Sequence, residues 1–119
     1  QYTINYRKGQ SNMKKIVLLC DMLNEMTITN DFLVNNMKEA SYKNSIDCEI
    51  YAYPIQDVYE KAKDADVILL TPLICFKQLM VEKLVHCPVE KIGMGAYANI
   101  DGKYILDRAF AKISENCVQ

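Results

Sequence analysis

The stretch Lys14-Lys15-Ile16-Val17-Leu18-Leu19-Cys20 decides the fold of this chain. Two lysines lead into an unbroken aliphatic run, and the run ends on a thiol. A strand-length segment without polar alternation fits a strand covered on both faces, the condition of a central strand in a parallel α/β sheet. A second such run, Val67-Ile68-Leu69-Leu70, lies within a predicted strand from Asp66 to Thr71. The stretch from Ile46 to Tyr53 alternates instead, with Ile46, Cys48, Ile50 and Ala52 on one face and Asp47, Glu49, Tyr51 and Tyr53 on the other. Val89 to Met94 is diluted by Glu90 and Lys91. Half-polar strands belong at sheet edges, so the first and third strands are central and the second and fourth are edges. Right-handed crossovers then give the spatial order 2-1-3-4. The predicted fold class is α/β: a three-layer sandwich with a four-stranded parallel sheet flanked by helices.

The helices follow from spacing. Leu33, Met37 and Ala40 mark the core side of the first, and Ile55, Val58, Tyr59 and Ala62 that of the second. The third, from Phe76 to Val85, is read as apolar at Phe76, Met80 and Leu84, with Leu79 beside them. In the last, Leu106, Ala109, Phe110, Ile113 and Cys117 repeat the pattern, and Asp101 is placed to cap it.

Composition narrows the function classes. With 119 residues, 50% of them apolar, the chain supports one hydrophobic core. A formal charge of -1 supplies no basic field to gather nucleic acid or anionic lipid. No apolar run approaches the ~18 residues of a membrane span, and no secretory signal is legible, so a cytoplasmic protein without membrane insertion is expected. The five cysteines (Cys20, Cys48, Cys75, Cys87, Cys117) lack any C-x-x-C pair and sit mostly in apolar patterns. Reduced thiols are expected, with no metal site. Residues 1–12 are polar and precede Met13; they read as an N-terminal extension or tag remnant, with alternation at Tyr2, Ile4 and Tyr6 leaving open an added edge strand.

Chain order reverses between the first and third strands, and ligands of open parallel sheets bind beyond the carboxyl ends of the strands at such a reversal. That is where Cys20 stands. A thiol there can meet a helix N-terminus, whose unpaired N–H groups stabilise both a thiolate and a bound phosphate. Cys20 is therefore the candidate nucleophile. The candidate phosphate-binding loop comprises Asp21, Met22, Leu23, Asn24, Glu25, Met26 and Thr27, with Thr29 as the helix begins. Asn24, Thr27 and Thr29 offer capping groups, whereas Asp21 and Glu25 oppose an anion. Phosphotyrosine-phosphatase chemistry needs an arginine six positions after the cysteine, and that position is Met26. A receiver aspartate is absent from Leu70-Thr71-Pro72, and Thr27-Ile28-Thr29-Asn30 is only a faint echo of a flavin loop.

Several segments in order resemble one family, the IIB subunits of the lactose, cellobiose and diacetylchitobiose branch of the bacterial sugar phosphotransferase system. Met13 to Cys20 resembles its first strand ending in the phosphorylated cysteine, and Leu33-Val34-Asn35-Asn36-Met37 its first helix. Asp64 to Pro72 is similar to its third strand and turn, Cys87-Pro88-Val89-Glu90-Lys91-Ile92 to its fourth strand, and Tyr97 to Gly102 to its Tyr-Gly-x-x-Asp-Gly turn. The family loop, roughly Cys-x-x-Gly-Met-Ser-[Ser/Thr]-[Ser/Thr], is matched here at Cys20 and Thr27, with Leu23 in the glycine place and Glu25 at a serine. The resemblance implies a single IIB-like domain over residues 13–119, with the Rossmann-like fold shared by small phosphotyrosine phosphatases. It further implies that Cys20 takes a phosphoryl group from a phosphohistidine on a IIA protein and passes it to a sugar held by a membrane IIC permease, with no metal or organic cofactor. Pro72 and Tyr97 would flank the site and face partners. The alternative is a degenerate IIB-like domain that binds a partner without carrying phosphate. His86 is read as an ordinary cation at a helix C-terminus, and Cys75 as packing.

Overall fold

The continuous apolar runs form the two inner strands. In the computed structural model, which describes residues 13–23 and 27–117, β1 (Lys14–Cys20) pairs in parallel with β2 (Cys48–Pro54) on one side and β3 (Val67–Leu70) on the other. β4 (Val89–Lys91) pairs with β3 and completes the order β2-β1-β3-β4. Ile16 to Cys20 and Val67 to Leu70 are fully buried. The pleat sends Ile16, Leu18, Val67 and Leu69 into one layer, against α1 (Thr27–Lys43) and the last helix, and Val17, Leu19, Ile68 and Leu70 into the other. Both faces of these strands are core, which is why the sequence shows no polar alternation there. Each such side chain contributes about 1.5–3 kcal/mol of hydrophobic burial.

The second layer is built from short pieces. A 3-10 turn (Ile55–Asp57) runs into α2 (Val58–Lys61), and a second (Pro72–Lys77) runs into α3 (Gln78–Leu84). A five-residue helix, α4 (Met94–Ala98), then precedes α5 (Gly102–Cys117), which lies beside α1. Asp101 caps α5 as its position predicts: its Oδ1 accepts from the Tyr104 N–H at 3.1 Å.

Three expectations are corrected. The buried stripe of the third helix is Ile74, Val81 and Val85, while Phe76, Leu79, Met80 and Leu84 are exposed, Phe76 by 77%. This segment carries two apolar stripes, and the 3-10 turn opened by Pro72 sets the phase that selects between them. Tyr59 is also exposed, because α2 is a single turn in which Ile55, Val58 and Ala62 suffice to cover the sheet. β4 stops at Lys91; the Ile92 N–H still reaches the Leu70 carbonyl at 2.8 Å, and Gly93 then opens α4. The edge strand suggested at Tyr2, Ile4 and Tyr6, with all of residues 1–12, lies outside the described residues.

Side chains gather along both outer strands. On β2 the rings of Tyr51 and Tyr53 stack 5.9 Å apart, with Lys15 over the first and Lys61 over the second. At β4, the Gln78 side chain donates to the Val89 carbonyl at 3.2 Å.

Candidate functional site

Cys20 is the last residue of β1 and lies level with Pro54 of β2. Its neighbour Leu19 accepts from the Thr71 N–H at 3.2 Å, so the ends of β1 and β3 are tied together at the chain reversal. The thiol is fully buried. Its S–H donates toward the Tyr53 carbonyl at 3.6 Å, and the Met22 sulfur lies 3.9 Å away.

The loop opens with a turn. The Asp21 carboxylate accepts from the Leu23 N–H at 3.2 Å, an Asx turn that leaves Leu23 exposed at the tip. Asn24, Glu25 and Met26 lie outside the described residues. Thr27 begins α1 and is exposed, and Thr29 is half-buried. The first turn of α1 holds no acidic residue and its last turn holds Lys43, so the positive end of the helix dipole is unopposed within that turn.

α4 meets the opening turn of α1 through Tyr97. Tyr97 is half-buried, and its hydroxyl donates to Asn30 Oδ1 at 2.6 Å. Two turns further along α1, Asn36 Nδ2 donates to the Ile100 carbonyl at 3.0 Å. Ile100 turns the chain with φ 52°. Gly102 then approaches α1 so closely that a Cβ there would lie 2.5 Å from the Asn36 carbonyl carbon. Pro72 opens the 3-10 turn that follows β3 and is half-buried. Sequence reasoning gave no role to Asn30 or Thr71, which are buried polar residues at 2% and 0% exposure. A threonine closing a wholly apolar strand was the available signal for the second.

Two other thiols are held toward their neutral form by burial. Burial pushes Cys87 up to about 11, and burial also raises Cys48 against a hydrogen bond from Ser41 that lowers it. His86 is exposed in the bend after α3. Among the described residues no group of three or more His, Cys, Asp or Glu side chains is placed to hold a metal ion. A cleft of about 360 Å³ lies between β4, α4 and α5, lined by residues including Glu90, Asn99, Tyr104 and Arg108. Arg108 donates twice to Glu90 Oε2, at 3.1 and 3.0 Å, and Lys112 stands 3.7 Å from Oε1. These charges close on one another at the far side of β3 from Cys20.

The arrangement defines an open, parallel α/β domain of Rossmann-like type, with strand order 2-1-3-4 and a cysteine at the carboxyl end of the inner strand where the order reverses. The chain belongs to the family described as the lactose/cellobiose-specific IIB subunit of the phosphotransferase system, whose model matches residues 15–108. It is 30% identical over 102 residues to the oligo-beta-mannoside-specific EIIB component of Bacillus subtilis, a match covering 83% of this chain and 95% of that one. Two solved structures share the fold. The lactose-specific IIB domain of Streptococcus pneumoniae has a TM-score of 0.65 at 18% identity, covering 84% of this chain and 97% of its own. The cellobiose-specific IIB component of Borrelia burgdorferi has a TM-score of 0.68 at 20% identity, covering 87% and 94%. No helix among the described residues is long and apolar enough to cross a membrane.

Proposed function

We propose that this protein is a phosphocarrier of sugar uptake that holds its phosphoryl group as S-phosphocysteine on Cys20. The supporting observation is the placement of Cys20 at the end of an inner strand, at the chain reversal, ahead of a 17-residue helix whose first turn carries no acidic side chain. In the accepting step the Cys20 sulfur attacks the phosphorus of a phosphohistidine on a IIA protein. The N–P bond breaks as the S–P bond forms, and the thiol proton goes to the departing imidazole. In the donating step a sugar hydroxyl held by a IIC permease attacks the same phosphorus, the thiolate leaves, and the hydroxyl proton passes to a base. Helix and loop N–H groups hold the phosphoryl oxygens, so positioning and electrostatics supply the catalysis and no metal or organic cofactor is needed. Sugar choice belongs to the permease. The protein works in the cytoplasm, at the membrane face that its acceptor presents.

A second reading, a IIB-like domain that binds a partner without carrying phosphate, is favoured by two contacts: the Asp21 carboxylate occupies the Leu23 N–H, and the Cys20 thiol is turned to Tyr53. Incubation with phosphoenolpyruvate, the general phosphotransferase proteins and a cognate IIA, followed by intact mass measurement, separates the two. The carrier gains one phosphoryl group that is absent from Cys20→Ser. Wild type without an adduct, or an adduct that survives the substitution, excludes it.

A further inference from the structure

The connection from α4 to α5 grips α1 at two levels. At its opening turn the Tyr97 hydroxyl donates to Asn30 at 2.6 Å, and Asn30 is only 2% exposed. Two turns on, Asn36 donates to Ile100 at 3.0 Å, and Gly102 presses against the backbone of residues 36 and 37. The lower grip fixes the middle of the helix to the body of the domain. The upper one sets where its amino end points.

That end matters because strand pairing holds the Cys20 backbone level with Pro54. With that backbone held, where the first N–H groups of α1 stand relative to the sulfur depends on how the helix is seated and on the Cys20 rotamer. Resting on the carrier reading, we propose that Tyr97 and Asn30 are positioning residues for phosphotransfer at Cys20. The phenol donates to the carboxamide, the carboxamide belongs to the first turn, and the first turn carries the N–H groups that hold the phosphoryl oxygens. Hydrogen bonds to a phosphoryl group in transfer lose strength steeply with misplacement, so loosening this turn slows the chemical step without weakening capture of the donor protein. Tyr97 is half-buried, with its hydroxyl turned onto α1.

The test uses the full chain, phosphorylated through phosphoenolpyruvate, the general phosphotransferase proteins and a cognate IIA. Tyr97→Phe, Asn30→Ala, their double variant and Asn36→Ala are compared in transfer rate against IIA concentration, and in the phosphorus NMR titration of the phosphocysteine. Tyr97→Phe is expected to lower kcat about tenfold with KM for IIA changed less than about twofold. It is also expected to raise the titration midpoint by about half a pH unit, because fewer N–H groups then hold the dianion. Asn30→Ala gives the same effects, and the double variant adds no further loss. Asn36→Ala, which breaks the lower grip, lowers the melting temperature but leaves kcat and the midpoint near wild type. The proposal is overturned by Tyr97→Phe with unchanged kcat and midpoint, by a rise in KM alone, which makes Tyr97 a partner contact, or by Asn36→Ala reproducing both effects, which makes the loss a general loosening. A wild-type protein that accepts no phosphate overturns the carrier reading itself and this proposal with it, an outcome visible before any variant is compared.

Discussion

The carboxylate of Asp21 accepts a hydrogen bond from the backbone N–H of Leu23 at 3.2 Å, directly after the candidate nucleophile Cys20. One N–H of the loop after Cys20 is thereby held by the protein's own anion. Asp21→Ala frees that N–H and removes a charge beside the incoming phosphoryl group. The expected outcome is phosphorylation of Cys20 about two- to fivefold faster than wild type, equivalent to ~0.4–1 kcal/mol in the barrier. Single-turnover transfer from phosphorylated IIA measures it; a slower variant shows that the turn shapes the loop rather than obstructing it.

The two apolar stripes of the third helical segment differ sharply in energetic weight. Ile74 is buried in the layer with Leu19 and Leu70, whereas Phe76 stands in solvent. Ile74→Ala is expected to cost about 2–5 kcal/mol. Phe76→Ser should stay within about 0.5 kcal/mol. Urea unfolding of both variants checks the ordering, and a costlier Phe76→Ser reverses the assignment of faces.

Gly102 sits where α5 begins against α1, and an added Cβ would lie 2.5 to 2.7 Å from atoms of Asn36 and Met37, two of them backbone. Backbone cannot turn away as a flexible side chain can. Gly102→Ala is expected to destabilise by about 1–3 kcal/mol, although alanine has the better helix propensity. Thermal melts decide it, and an unchanged or raised melting temperature contradicts the close approach.

Cys87 gives the protein a pH dependence on the alkaline side. Burial holds its thiol neutral, raising it from an ordinary value of 9.0 to about 11. A raised acid binds its proton more tightly in the folded state, so its contribution is intact below the unfolded value and is lost as pH climbs through the window from 9.0 to about 11. Wild type should therefore lose stability between pH 8 and pH 10 faster than Cys87→Ala, as chemical denaturation at the two pH values will show. Parallel curves for the two proteins assign the alkaline loss elsewhere.

The inner strands were readable because burial on both faces removes polar residues from consecutive positions, as in Ile16 to Leu19 and Val67 to Leu70. Their order in the sheet followed from the half-polar edges. The third helix was misread because Phe76, Met80 and Leu84 repeat as well as Ile74 and Val81 do, and periodicity carries no information about which of two apolar faces meets the sheet. In the candidate site, Cys20 was marked by its place at the end of the first run, and the Tyr97 to Gly102 turn by its pattern. The pairing of Tyr97 with Asn30 was not legible, since a contact across sixty-seven positions leaves no local periodicity.

Sequence by itself determined the strand pattern, the 2-1-3-4 order and the position of Cys20, because burial on one face or two is written in the spacing of apolar residues, and it carried the family likeness in a series of short matched segments. Tertiary structure alone decided that the thiol is buried and turned to Tyr53, that Asp21 closes on Leu23, and that Tyr97 and Asn36 fasten α1 from its start to its middle. Those are matters of side-chain direction and of contacts between distant segments, which are set when the layers pack.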